Sequence, residues 1–204
     1  MPSRNILKIN APESYYHVYA RGRSRQKIFR DEDDFAMFLN LFERYLSVEQ
    51  KVDAYGKPYP HLRGDVSLLC YCLMNNHFHL LIYQTSERAM SQLMRGIMTS
   101  YSTYFNKKYK LSGGLFESRY KASRISSDPN LMHVSRYIHL DPKNWMQYPH
   151  SSIHAYFMGA DEWLEPAPII KLFGSTPVYA DFLNDEADYK QSLKTIKDEL
   201  ANKL

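Results

Sequence analysis

Residues 71–83 read YCLMNNHFHLLIY, and the reading of this stretch decides the fold. VSLLCYCLM (66–74) and HFHLLIY (77–83) are both rich in β-forming apolar residues, and only Asn75-Asn76, two residues suited to turns, separate them. They form either one long interrupted strand or the two strands of a hairpin, and so short a link favours antiparallel pairing.

Working outward, YYHVYARG (15–22) alternates with period two and reads as a strand ending at Gly22. The basic loop RSRQKIFR follows. Asp31 to Asp34 supply a cap and negative charge for a helix over 31–50, with Phe35, Phe38, Leu39, Phe42, Tyr45 and Leu46 at helical spacing. AYGKPYPHLRGD (54–65), rich in turn residues, leads into the hairpin. Beyond it, Met90, Leu93, Met94, Ile97, Met98, Tyr101 and Phe105 mark a helix over 87–109, which SGG (112–114) ends. LFESRYKASRI (115–125) alternates as a strand with one wet face. Asp128-Pro129 predicts a helix start with Asp128 as the cap, running over 129–141 until Pro142 stops it. A wrapping segment with Pro149, Pro166, Pro168 and Pro177 precedes a C-terminal amphipathic helix around 179–202. The order β-α-β-β-α-β-α predicts an α+β fold: a ferredoxin-like antiparallel sheet covered by helices on one face, plus a C-terminal helical extension.

The chain has 204 residues, 44% of them hydrophobic, enough for one domain with its own core. Cys70 and Cys72 stand two apart on an apolar strand with no metal-ribbon spacing, which predicts reduced, structural thiols in a cytoplasmic protein. MPSRNILKIN has no apolar signal region and no apolar run approaches the roughly 18 residues a membrane span needs. The net charge is only +4, but it is unevenly spread. Residues 1–30 carry seven Lys/Arg against Glu13, and residues 101–125 carry Lys107, Lys108, Lys110, Arg119, Lys121 and Arg124 against Glu117. Basic segments with interleaved tyrosines suit a phosphate-backbone partner, since cations neutralise phosphates and aromatic faces stack bases.

On a strand, His77 and His79 project from the same face, where two imidazoles can converge on one divalent ion. Barrel hydrolases with such a pair need about 250 residues for the barrel alone, which excludes them here. An oxygen donor is available in SRYIHLDP: Asp141, with Tyr137 one helical turn before it. A phenol beside a metal-polarised phosphodiester is a nucleophile, and its attack leaves a covalent phosphotyrosine. Tyr120, between Arg119 and Lys121, is the rival nucleophile, placed second because it alternates with Phe116 and Ala122 on the core side. His133, one turn before Tyr137, is a candidate for proton transfer or simply a helix-surface histidine.

NHFHLL, LFESRYKA, RYIHLDP and SSIHAYFMG, in this order, together with the opening YHVYARGRSRQKIF, resemble the single-tyrosine HUH transposases, particularly the REP-associated tyrosine transposases. The resemblance spans roughly residues 10–175. It implies a catalytic domain over 1–175 followed by a helical tail over 176–204. It further implies metal-dependent cutting and joining of single-stranded DNA at hairpin-forming sequences, through a 5′-phosphotyrosine with a free 3′-hydroxyl. His77, His79 and Asp141 would then hold Mg²⁺ or Mn²⁺ and Tyr137 would be the nucleophile. Arg21, Arg23, Arg25, Lys27, Arg119, Lys121 and Arg124 would hold the DNA backbone. Members work as monomers or as homodimers that exchange the tyrosine helix. Two positions depart from the pattern: Asn75 where proline is common, and Asp141 where Asn or Gln is usual. Aspartate suits a hard cation, yet its charge opposes phenolate formation. The competing expectation is therefore a domesticated, non-catalytic binder of single-stranded nucleic acid.

Overall fold

The computed structural model describes residues 10–185 together with 189 and 193. Asn75 and Asn76 close a two-residue link between β2 (Val66–Met74) and β3 (His77–Gln84), so the decisive stretch is a hairpin with Met74 opposite His77. β1 (Ser14–Arg21) pairs antiparallel with β3 on one side and with β4 (Lys121–Ile125) on the other, giving the order β2-β3-β1-β4. With α1 (Glu32–Leu46) after β1 and α2 (Ala89–Tyr109) after β3, this is the ferredoxin-like arrangement.

The period-two alternation of each strand divides the sheet into two faces. Tyr16, Val18, Ala20, Phe78, Leu80, Ile82 and Ala122 point to α1 and α2, where Phe38, Phe42, Met94, Ile97 and Tyr101 complete the larger core. Asp31 accepts from the Asp34 amide and caps α1. Asp34 is fully buried and accepts from Arg30 N, Tyr104 Oη, Tyr109 Oη and Lys108 Nζ, tying the start of α1 to the end of α2. Lys108 also reaches Asp31, so a lysine counted in the basic stretch is committed to this hub.

The opposite face is also covered, which corrects the expectation of helices on one face only. Leu69, Cys70, Cys72 and Leu81 leave that face apolar, and a bulge between Leu68 and Cys70 adds Leu69 to it. It is filled by α3 (Asp128–His139), α4 (Ile153–Met158), α5 (Ala167–Phe173) and α6 (Thr176–Asn184), through Leu131, Val134, Ile138, Ile153, Tyr156, Ile169, Phe173, Tyr179 and Leu183. Burial pushes the Cys70 and Cys72 thiols well up, as suits inert thiols. β2 lies at the sheet edge, but its outer rim is occupied: Leu73 N donates to His150 O, Ser152 N to Tyr71 O, and Glu165 N to Leu68 O.

Several boundaries differ from the sequence reading. α1 stops at Leu46 rather than running to 50. The strand expected over 115–125 is regular only from Lys121, because Leu115 and Tyr120, five apart, are both drawn into the larger core, out of step with an alternating strand. α3 is preceded by Ser127 in extended geometry, which makes Asp128 its first residue, not its cap, and leaves Asp141 just past its end. Of the helix expected over 179–202, residues up to 184 lie in α6, Asp185 ends it, and the remainder, 189 and 193 apart, lies outside the described residues. Among the described residues, no helix is long and apolar enough to cross a membrane.

Candidate active site

The site lies on the α3 face of the sheet, at the end of β3 nearest the hairpin turn. Antiparallel register sets Arg21 opposite His77 and Tyr19 opposite His79. Residues directly opposite share a face, so His77, His79, His17, Tyr19 and Arg21 form one polar patch. Asp141 enters from the end of α3. Its Oδ2 is 3.1 Å from His77 Nε2, and one ligand atom from each of His77, His79 and Asp141 lies within 4.8 Å of the others. Among the described residues this is the group suited to holding a cation, and two imidazole nitrogens with a carboxylate oxygen are a donor set for a divalent metal ion.

Each imidazole is fixed from behind. Asn76 Oδ1 accepts from His77 Nδ1 at 2.7 Å. His79 Nδ1 stands 2.8 Å from Nε2 of His17, a buried residue of β1 that the sequence reading passed over. The signal was in HVYAR, where alternation places His17, Tyr19 and Arg21 on one face, but which strand they meet is set by tertiary pairing. Burial holds His79 well below the ordinary histidine pKa, with the neighbouring His17 adding to the effect, and burial alone pushes His17 down to about 3. Burial would raise the Asp141 carboxyl, but the bond from His77 and the nearby His79, His77 and Arg21 outweigh it, and its pKa is lowered.

Tyr137 projects from α3 onto these rings, its centroid 5.4 Å from that of His79 and 5.9 Å from that of His17, nearly perpendicular to both. Burial, then the Asp141 carboxylate, push the Tyr137 phenol up to about 12, against an opposing pull from Arg21. The structure thus brings His77, His79, Asp141 and Tyr137 together. Tyr120 is set apart from them: its hydroxyl meets Ser91 Oγ at 2.9 Å on the α2 side of the sheet. His133 turns toward α6, with its ring against Phe182 and Nδ1 accepting from Arg136 Nη2 at 3.0 Å.

The candidate DNA-binding cations separate by position. Arg21 shares the face of the site, as does Lys121, whose ammonium lies 5.9 Å from the Tyr19 ring centroid. Arg124, opposite Tyr16, belongs to the other face, and Arg119 lines a groove of about 980 Å³ beside α2. Arg23, Arg25 and Lys27 are exposed on the loop after β1. That loop is tied to the hairpin turn, since Gly22 N donates to Asn76 O, and Ile28 N and Phe29 N donate to Asn75 O. Asn75 therefore contributes a carbonyl that proline would supply equally.

A family profile described as Transposase IS200 like matches residues 10–141. Among solved structures, a REP-associated tyrosine transposase bound to a REP hairpin is similar, with a TM-score of 0.52 over 72% of this chain and 81% of that one. At 13% identity that likeness shows a shared fold. No curated protein matches the chain in sequence. The matched residues run from the start of β1 through all four strands to Asp141, and on that match this chain belongs to the IS200-like transposase family.

Proposed function

We propose that this transposase cleaves and rejoins single-stranded DNA at hairpin-forming sequences, with Tyr137 as nucleophile and a divalent cation held by His77, His79 and Asp141. The observation that carries the reading is the convergence of those three ligand atoms within 4.8 Å, with the Tyr137 ring packed against His79. When bound, the cation neutralises charge on the nonbridging oxygens of the scissile phosphate.

The chain supplies the rest. Tyr137 forms a bond from its phenol oxygen to phosphorus as the bond to the 3′-oxygen breaks, giving a 5′-phosphotyrosine and a free 3′-hydroxyl. A second 3′-hydroxyl attacking the phosphotyrosine reverses the step and joins strands. Arg21 and Lys121, on the face of the site, receive the strand's phosphates, while Arg23, Arg25 and Lys27 extend that cationic track along the loop. The hairpin in the similar solved structure supports a hairpin-bearing substrate.

The test is a covalent-adduct assay with Mn²⁺ and a library of hairpin-bearing oligonucleotides. Wild-type protein yields a denaturant-stable DNA adduct that is lost with chelator, and Tyr137→Phe yields none. An adduct of wild-type yield in Tyr137→Phe would reassign the nucleophile. Chelator-insensitive binding with no cleavage of any hairpin would instead identify the non-catalytic binder.

A further inference from the structure

His17 lies outside the cation cluster but touches it, and its contacts are unlike those of the other fully buried histidine. His139 is matched at both nitrogens, Nδ1 by Tyr179 Oη at 2.7 Å and Nε2 by Ser152 Oγ at 2.8 Å, as expected of an imidazole used to join α3 to α6 and to the start of α4. His17 meets His79 through Nε2, while its buried Nδ1 has no hydrogen-bond partner among the described residues. Its one polar contact there is with a candidate ligand.

The geometry of that contact is directional. The two ring centroids are 5.0 Å apart, the planes differ by 14°, and the nitrogens are 2.8 Å apart, which fits an end-to-end bond in the plane of both rings. A neutral imidazole carries one N–H and one lone pair. If His17 donates from Nε2, His79 must carry its own proton on Nε2 and has no lone pair to offer a cation. If His79 donates from Nδ1, its Nε2 lone pair is free. The neighbouring ligand is likewise fixed at Nδ1, which donates to Asn76 Oδ1, while its Nε2 meets Asp141 Oδ2 at 3.1 Å.

We infer that His17 is a positioning residue for the cation: it accepts the Nδ1–H of His79 and thereby holds the Nε2 lone pair of His79 toward the site. This rests on the reading that His77, His79 and Asp141 bind a divalent ion. Outer partners of this kind commonly change metal affinity 10–100-fold when removed.

The experiment titrates Mn²⁺ into full-length protein by calorimetry for wild type, His17→Phe, His17→Gln and His77→Ala, with thermal melts in chelator to establish that each is folded. His17→Phe keeps the ring but removes the acceptor, and is expected to bind Mn²⁺ roughly 10–100-fold more weakly. His17→Gln, whose amide oxygen reaches where Nε2 stands, is expected to restore most of that loss. Wild-type affinity in folded His17→Phe, or equal losses in the Phe and Gln variants, would overturn the inference while leaving the cation site intact. Mn²⁺ binding unaffected by His77→Ala would overturn the cation reading itself. Should His17→Phe fail to fold, nitrogen NMR of the wild-type imidazoles with Mg²⁺ decides: a proton on Nδ1 of His79 supports the inference, and one on Nε2 refutes it.

Discussion

Tyr137 sits where its surroundings oppose its ionisation, because burial and the Asp141 carboxylate both favour the neutral phenol. The same carboxylate is the oxygen donor that the candidate cation cluster offers. Asp141→Asn therefore acts in two opposite directions. Removing the charge should lower the Tyr137 pKa and shift the rising limb of the single-turnover adduct rate to lower pH. It should also raise the Mn²⁺ concentration needed for half-maximal rate, by about tenfold. A pH profile and a Mn²⁺ titration of this variant separate the two effects, and a profile that does not move would show that Asp141 does not act on the phenol. At this scale the sequence was informative where residues are close in the chain. His77 and His79 share a face by the two-residue repeat of a strand, and Asp141 follows Tyr137 by one turn. His17 comes from a different strand, and only the β1–β3 register brings it to His79.

Between elements, close packing constrains the joint more than regular pattern does. Gly22 follows β1 with an ordinary extended backbone, yet a β-carbon there would lie 2.2 Å from Gln26 O and 2.8 Å from Ile28 Cγ2. The nearer atom is main chain, so relief requires shifting the whole basic loop. Gly22→Ala should destabilise the protein by about 1–3 kcal/mol, measured by urea unfolding, and should weaken hairpin DNA binding by displacing Arg23, Arg25 and Lys27. Unfolding at the wild-type midpoint would mean that the loop shifts freely. The same local crowding explains why 115–125 misled as a single strand. Alternation is a property of a paired ladder, and residues 115–120 meet the ladder only where Phe116 bridges Gly22 and Glu117 N donates to Arg21 O. Leu115 and Tyr120 instead pack under α2. The helices and the hairpin were legible because their apolar repeats are long and uninterrupted.

For the molecule as a whole, burial on both faces of the sheet determines the response to acid. The helices on the second face were implicit in VSLLCYCLM, whose apolar residues do not alternate, as expected of a strand covered on both sides. That cover leaves His17 and His139 buried and neutral, each with a pKa near 3. In the unfolded chain both would titrate near 6.5. Below that value the unfolded state takes up protons that the native state refuses, so stability is complete above about pH 6.5 and falls as the pH is lowered toward 3. The loss approaches about 1.4 kcal/mol per pH unit for each histidine. Urea unfolding in chelator at pH 7 and pH 5 should show a clearly lower midpoint at pH 5, and identical midpoints would mean that these rings are protonated in the native state.

The occupied rim of β2 carries a different implication. A ferredoxin-like sheet has two ends at which another polypeptide can continue the ladder, and unsatisfied main-chain groups at such an end invite strand addition and aggregation. Here residues 148–165 act as a selvedge along one of them, leaving an incoming chain few amides or carbonyls to grip. Continuation of the sheet by a second molecule is thereby disfavoured along β2.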